Sequence, residues 1–235
     1  MTRNTDLYKL NGKRIPSVTE VLRFAGLTDY SHVAPEVLEK ARLRGRFVAD
    51  WIDQLHSGLI MPGEMVPPEH KENQHRISAY EEFIAKTGFQ VIGHEKVVIG
   101  GEGYAGQYDL YGWLPRLISV RGNKISPGWK LIDIKASYQI NKTTGPQCAA
   151  YENARRQTVQ RAMTENLDPL SDVQSKEWVF DNVTTAEIAC LHLRPESRGG
   201  GWTLKSFDYD KELSMFLSAL NVVKFRLENK IIELP

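Results

Sequence analysis

The segment Trp129 to Ala136, WKLIDIKA, constrains the fold of this chain more than any other stretch. On an extended strand, side chains alternate between faces. Asp133 and Lys135 therefore share one face with Leu131, and Ile132 and Ile134 share the other. A carboxylate in an apolar strand is costly to bury unless it is paired or holds a cation. The pattern recurs nearby. Asp109 interrupts GYAGQYDLYGWL, and Gln147 and Tyr151 sit four apart in GPQCAAYENARR, a spacing that projects both from one helix face. One core has to accommodate two acidic strands and a polar helix face. A divalent metal is the expected compensation for the two carboxylates.

The surrounding pattern predicts the elements that carry these residues. Residues 7–15 alternate around Asn11-Gly12 and read as a short hairpin. Ser17 or Thr19 is placed to cap a short helix ending near Gly26. Pro35 opens a longer helix to about Leu55, with Leu38, Ala41, Gly45, Val48, Ile52 and Leu55 on one stripe. A Pro/Gly-rich loop follows, then a helix over about 69–87 that Gly88 ends. Strands are predicted over 90–99, 104–114, 129–136, 187–193 and 202–207. A helix runs from Thr144 or Gly145 to about Met163, and Asp210 caps a last helix. Residues 115–128 read as a connector, and 165–182 are ambiguous. The order implies an α/β fold with a central mixed sheet flanked by helices. It is organised as one domain over 1–235, mainly helical over 1–88 and α/β over 89–235.

Composition narrows the partners. Hydrophobic residues make up 41% and charged residues 25% of the 235 positions, an ordinary globular balance. No apolar run approaches the length of a membrane span, and the N-terminus lacks the apolar stretch of a secretory leader. Cys148 and Cys190 form no CxxC pair, which argues against a zinc ribbon. A reducing, cytoplasmic setting is the expectation. The formal net charge is +1, so a polyanion has to be met by a local patch. Lys40, Arg42, Arg44 and Arg46 form one such patch. Arg155, Arg156 and Arg161 form a second, unless both are simply solvated helix faces.

The residue types suit metal-assisted phosphodiester hydrolysis. Asp109, Asp133 and the Ile134 carbonyl are hard oxygen donors, which favour Mg²⁺ or Mn²⁺ over zinc. Glu95, early in the first strand, is a further candidate carboxylate. Lys135 is placed to position or deprotonate the nucleophilic water, or to offset charge on the phosphorane. A second ion, roughly 3.5–4 Å from the first, would need a bridging carboxylate. The competing reading is a plain exposed ion pair between Asp133 and Lys135, worth under ~1 kcal/mol. The flanking isoleucines argue for a central strand instead. The chain has no GxSxG, Walker or HExxH pattern, and its six histidines read as surface or packing residues.

Asp…Asp-x-Lys on successive strands, then Gln-x-x-x-Tyr on a helix, resembles the PD-(D/E)xK nuclease superfamily. It looks most like the RecB-like branch with its phage exonucleases. GYAGQYD resembles the Gly-x-Asp motif, DIK the Asp-x-Lys motif and QCAAY the Gln-x-x-x-Tyr motif. NGKRIPSVTEVL and RGRFV also look like phage members. The resemblance implies a restriction-endonuclease-like core and a Mg²⁺-dependent DNA exonuclease of phage recombination, repair or processing, acting in the host cytoplasm. Asp109, Asp133, Lys135, Gln147 and Tyr151 would form the active site. Arg44, Arg46, Lys142, Arg155 and Arg156 would meet DNA, with a phage single-strand annealing protein as a possible partner. An inactive binding relative or a site-specific endonuclease are the alternatives. The chain departs from the family where a metal-ligating histidine is expected after Arg44-Gly45. Ala49 stands there, which leaves Asp50 or Asp53 to substitute.

Overall fold

A computed structural model describes residues 8–164 and 186–234. The ambiguous stretch 165–182 lies outside them.

The chain opens on a hairpin of β1 (Lys9–Leu10) and β2 (Lys13–Arg14), turned by Asn11 and Gly12, both at positive φ. Helix α1 (Val18–Phe24) starts at a capping box. The Ser17 hydroxyl accepts from the Glu20 amide, and the Glu20 carboxylate accepts from the Ser17 amide. Helix α2 (Pro35–His56) begins with Pro35 at its first position. A 3-10 turn over Pro68–Asn73 leads into α3 (Gln74–Thr87), so the helix expected from residue 69 is two pieces. Gly88 ends α3 in the left-handed region at φ 67, where a side chain would be strained.

The sheet strands are β3 (Gln90–Gly100) and β4 (Tyr104–Leu114), then, after a small hairpin, β7 (Gly128–Lys135), β8 (Glu187–Leu193) and β9 (Trp202–Ser206). They lie in sequence order. Neighbours are antiparallel except β7 and β8, which are parallel around helix α4 (Thr144–Thr164). The small hairpin is β5 (Ile118–Val120) with β6 (Asn123–Ile125), in a stretch expected to be a plain connector. Helix α5 (Tyr209–Glu228) closes the described chain. Its cap is Asp208, whose carboxylate accepts from the Lys211 amide. Asp210, expected as the cap, lies inside the first turn.

This is a mixed α/β architecture, a five-stranded sheet between two helical layers. On one face Leu110, Ile132 and Leu191 pack with Val48 and Ile52 of α2 and Ile77, Tyr80 and Phe83 of α3. On the other, Tyr111, Leu131 and Ile188 pack with Val18 and Val21 of α1, Cys148 to Tyr151 and Ala154 of α4, and Phe216 and Leu220 of α5. β7 lies between β4 and β8, a central strand rather than an exposed edge. Among the described residues no helix is long and apolar enough to cross a membrane.

Candidate active site

Strand register assembles the acidic residues. Leu110 pairs with Ile132 across the antiparallel β4–β7 ladder, so one step on, Asp109 falls opposite Asp133. Asp133 pairs with Cys190, and Cys190 with Lys205. On the other side, His94 pairs with Leu110 and Lys96 with Tyr108, which sets Glu95 opposite Asp109. A paired row crosses β7, β8 and β9 through Asp133, Cys190 and Lys205, and Asp109 and Glu95 stand at the positions that continue it on β4 and β3.

The β4–β7 ladder ends at Ile132, and the Asp109 side chain takes over from it. Its Oδ2 accepts a hydrogen bond from the Ile134 amide at 2.6 Å. An amide donating to a carboxylate stabilises the ionised form. Asp133 is buried, 2% exposed, and its Oδ2 lies 2.8 Å from Lys135 Nζ. The same Nζ donates to Gln147 Oε1 at 3.2 Å, and Gln147 Nε2 donates to the Tyr151 hydroxyl at 2.9 Å. Asp133, Lys135, Gln147 and Tyr151 are thus linked from β7 to α4 by one ion pair and two hydrogen bonds. Burial alone would pull the Lys135 ammonium down, but Asp133 and then Asp109 hold it well above the usual lysine range. Lys135 is protonated at neutral pH.

Cys148 and Cys190 flank the pair, both buried and free. Burial first, then the Asp133 charge, pushes both thiols well up. Among the described residues no three His, Cys, Asp or Glu side chains gather closely enough to hold a metal ion. Glu95 therefore does not complete a three-carboxylate centre. Its backbone is in the left-handed region at φ 48, and its carbonyl accepts from the Gln107 amide at 2.9 Å. Asp53 is engaged elsewhere, 2.8 Å from His94 Nδ1, and does not replace the histidine missing at Ala49. Two carboxylates still suit Mg²⁺, which keeps several waters and commonly takes one or two protein carboxylates plus substrate phosphate.

The expected DNA-binding residues separate. Lys142 is exposed in the β7–α4 connection. Arg44, half-buried on α2, donates to the Ala136 carbonyl at 3.0 Å, directly after Lys135. Arg46 is half-buried on the same helix. Arg156 leans on Tyr209, 5.7 Å from its ring centroid. Arg155 departs from expectation. It is 3% exposed, bonded twice to Glu152 at 2.6 and 2.9 Å and stacked 4.2 Å above the Tyr111 ring. A guanidinium so enclosed is a core ion pair and does not present itself to a polyanion.

Sequence reasoning missed Arg76. It is 6% exposed, and its Nε shares the Ala136 carbonyl with Arg44, at 3.2 Å. No signal in the sequence marked it, because the helix expected from residue 69 places Arg76 mid-helix and only the structure sets it in the first turn of α3.

No family profile matches the sequence, and no curated protein matches it. Among solved structures, the crystal structure of LHK-Exo in complex with dAMP overlaps 92% of this chain and 93% of its own, at 14% identity and a TM-score of 0.30. So loose an overlap assigns no role to any residue of this chain.

Proposed function

We propose that the chain is a metal-dependent nuclease of the PD-(D/E)xK type that hydrolyses DNA phosphodiesters, acting as an exonuclease. The observation that carries this reading is that Asp109 is bonded to the Ile134 amide of the strand that carries Asp133, with both carboxylates acting on the Lys135 ammonium. Asp133 is joined through Lys135 to Gln147 and Tyr151. Mg²⁺ or Mn²⁺ held by the two carboxylates would polarise a phosphate oxygen and lower the pKa of a bound water. Asp109 is fixed in place by the Ile134 amide. Lys135, beside Asp133, is placed to position the attacking water or to offset charge on the phosphorane. Gln147 and Tyr151 hold the ammonium in place from α4.

The test is cleavage of end-labelled linear DNA with Mg²⁺ by the parent, Asp133→Ala and Lys135→Ala. Covalently closed circular DNA runs in parallel. Loss of product in both variants, with circles left intact, supports an exonuclease. Cleavage of circles points to an endonuclease. Variants that cut like the parent reject the site. A second reading has its own observation: Lys135 already neutralises Asp133 and Ala49 supplies no ligand, as in a relative that binds nucleic acid without cutting it. That reading expects binding with no Mg²⁺-dependent product.

A further inference from the structure

Where the parallel strands β7 and β8 end, arginines gather with two exposed acids nearby, Glu72 and Glu196, the latter 4.0 Å from His75 Nδ1. Arg44 and Arg76 converge on the Ala136 carbonyl. The His192 ring lies 2.8 Å from the Ser137 carbonyl, and Arg194 and Arg198 follow on the same connection. Arg76 donates otherwise only to the Glu72 carbonyl at 3.2 Å. Among the described residues, none of these four guanidiniums forms an ion pair. The neighbouring acids, Glu72 and Glu196, are both exposed. Buried arginine is ordinarily paired, because an uncompensated buried charge is strongly destabilising.

Polar atoms at the same place also lack partners. His75 Nε2 and Arg194 Nη1 are buried without a hydrogen bond, as are both side-chain polar atoms of Asn73, which is 1% exposed. Asn73 stands at the N-terminal end of the 14-residue helix α3 and makes no capping bond. The first turn of α3 carries Arg76 and no acid, the reverse of what the helix dipole favours. Burial first, then the neighbouring arginines, holds His75 and His192 below the usual histidine range, so the imidazoles add no charge near neutrality. The unpartnered Arg194 Nη1 and Asn73 Nδ2, the excess of guanidinium and a helix N-terminus together suit an anion.

We propose that Arg44, Arg76, His75, Asn73 and Arg194 form a phosphate-binding pocket that holds a backbone phosphate of the nucleic-acid strand beside the Asp133–Lys135 centre. Ala136 connects the two directly. The assignment of the phosphate to a nucleic acid rests on the nuclease reading. The existence of an anion pocket does not. The phosphate comes from the strand interior or from its end. Guanidinium recognition serves both, and a mobile Lys patch would serve neither as tightly.

The experiment uses the full chain. Thermal unfolding is followed in sodium phosphate and in sodium chloride at matched ionic strength, and phosphate affinity is measured by calorimetry. Phosphate is expected to raise the midpoint of the parent. Arg44→Gln and Arg76→Gln should weaken phosphate binding about tenfold or more, the usual consequence of deleting a charge-assisted bond. Arg44 is half-buried, so its variant remains informative should Arg76→Gln fail to fold. Lys86→Gln, an exposed partner of Glu82, should leave the response unchanged. Circular single strands, and linear strands with and without terminal phosphate, then compete with phosphate. Equal competition by circles assigns an interior phosphate, and competition only by phosphorylated ends assigns a terminal one. No phosphate-specific shift in the parent, or an unchanged shift in Arg44→Gln, overturns the pocket. Failure of Asp133→Ala to abolish cleavage would reject the nuclease reading while leaving a measured phosphate response standing.

Discussion

The Lys135 ammonium sits 2.8 Å from the Asp133 carboxylate and 3.2 Å from the Gln147 amide oxygen. One cation therefore ties a central strand to the helix packed over it. Asp133 is almost wholly buried, whereas the Lys135 side chain is 24% exposed. The pair is asymmetric: one charge depends on its partner, and the other still reaches water.

That asymmetry predicts unequal costs. Lys135→Met strands a buried carboxylate and should cost about 3 kcal/mol or more. Asp133→Asn keeps the shape and leaves a cation that can hydrate, so it should cost less, about 1–2 kcal/mol. Urea unfolding of both variants at pH 7 checks the order. Equal losses would mean that Asp133 has other sufficient partners.

Gly106 predicts a link between strand and site. A Cβ at this position would meet Tyr151 Cε1 at 2.3 Å and Cδ1 at 2.8 Å. The glycine clears space for the tyrosine ring whose hydroxyl accepts from Gln147. Gly106→Ala should displace that ring, loosen the Gln147–Lys135 contact and cost about 1–3 kcal/mol from overpacking. Under the nuclease reading, activity should fall about tenfold to hundredfold, because small misplacements near reacting groups are expensive. Paired urea unfolding and cleavage assays read the two effects. Activity that tracks only the folded fraction would separate Gly106 from the site.

Much of this was legible in the sequence, and the exceptions have physical causes. The strands over 104–114 and 187–193 stand out because glycine, charge and apolar runs bound them sharply. That Gly106 makes room for Tyr151 was not readable, because sequence does not say what lies above a strand. The three-residue strands β5 and β6 are too short to show alternation. Asp208 and Asp210 are two acceptable caps two residues apart, and only the backbone chooses. Arg155 and Arg156 are adjacent cations with opposite fates. Glu152, three residues before Arg155, was the one local clue that a pair could form on the helix. Arg76 shows no periodic or motif signal, since its significance lies in meeting Arg44 across the fold.

The Glu152–Arg155 pair gives a sharp stability test. Glu152 is fully buried and also accepts from the Ala186 amide at 2.9 Å. Arg155→Met should cost about 3–5 kcal/mol by leaving that carboxylate unpaired. Adding Glu152→Gln should recover part of the loss, since a neutral amide can still accept from Ala186. A double-mutant cycle in urea measures the coupling. Were Arg155→Met nearly neutral for stability while weakening DNA binding, the arginine would belong to a binding surface after all.

A cluster on the opposite face of the sheet predicts acid sensitivity. The Tyr80 hydroxyl is hydrogen-bonded to His56 Nε2, and the His56 and His94 rings lie 5.6 Å apart, with Asp53 against His94. Burial first, then the neighbouring His94, lowers His56 to about 4, against a partial pull upward from Asp53. The folded state thus favours neutral His56, while the unfolded chain takes up a proton near the ordinary histidine value of about 6.5. Between those values the unfolded state binds more protons, so stability falls as pH drops through this window and is undiminished above it. The loss should be about 1–3 kcal/mol for this partly buried ring. Urea midpoints at pH 7 and pH 4.5, for the parent and for His56→Gln, read it. His56→Gln should flatten the decline, because glutamine can meet the Tyr80 hydroxyl without titrating. An equally steep decline in that variant would move the acid sensitivity to another group.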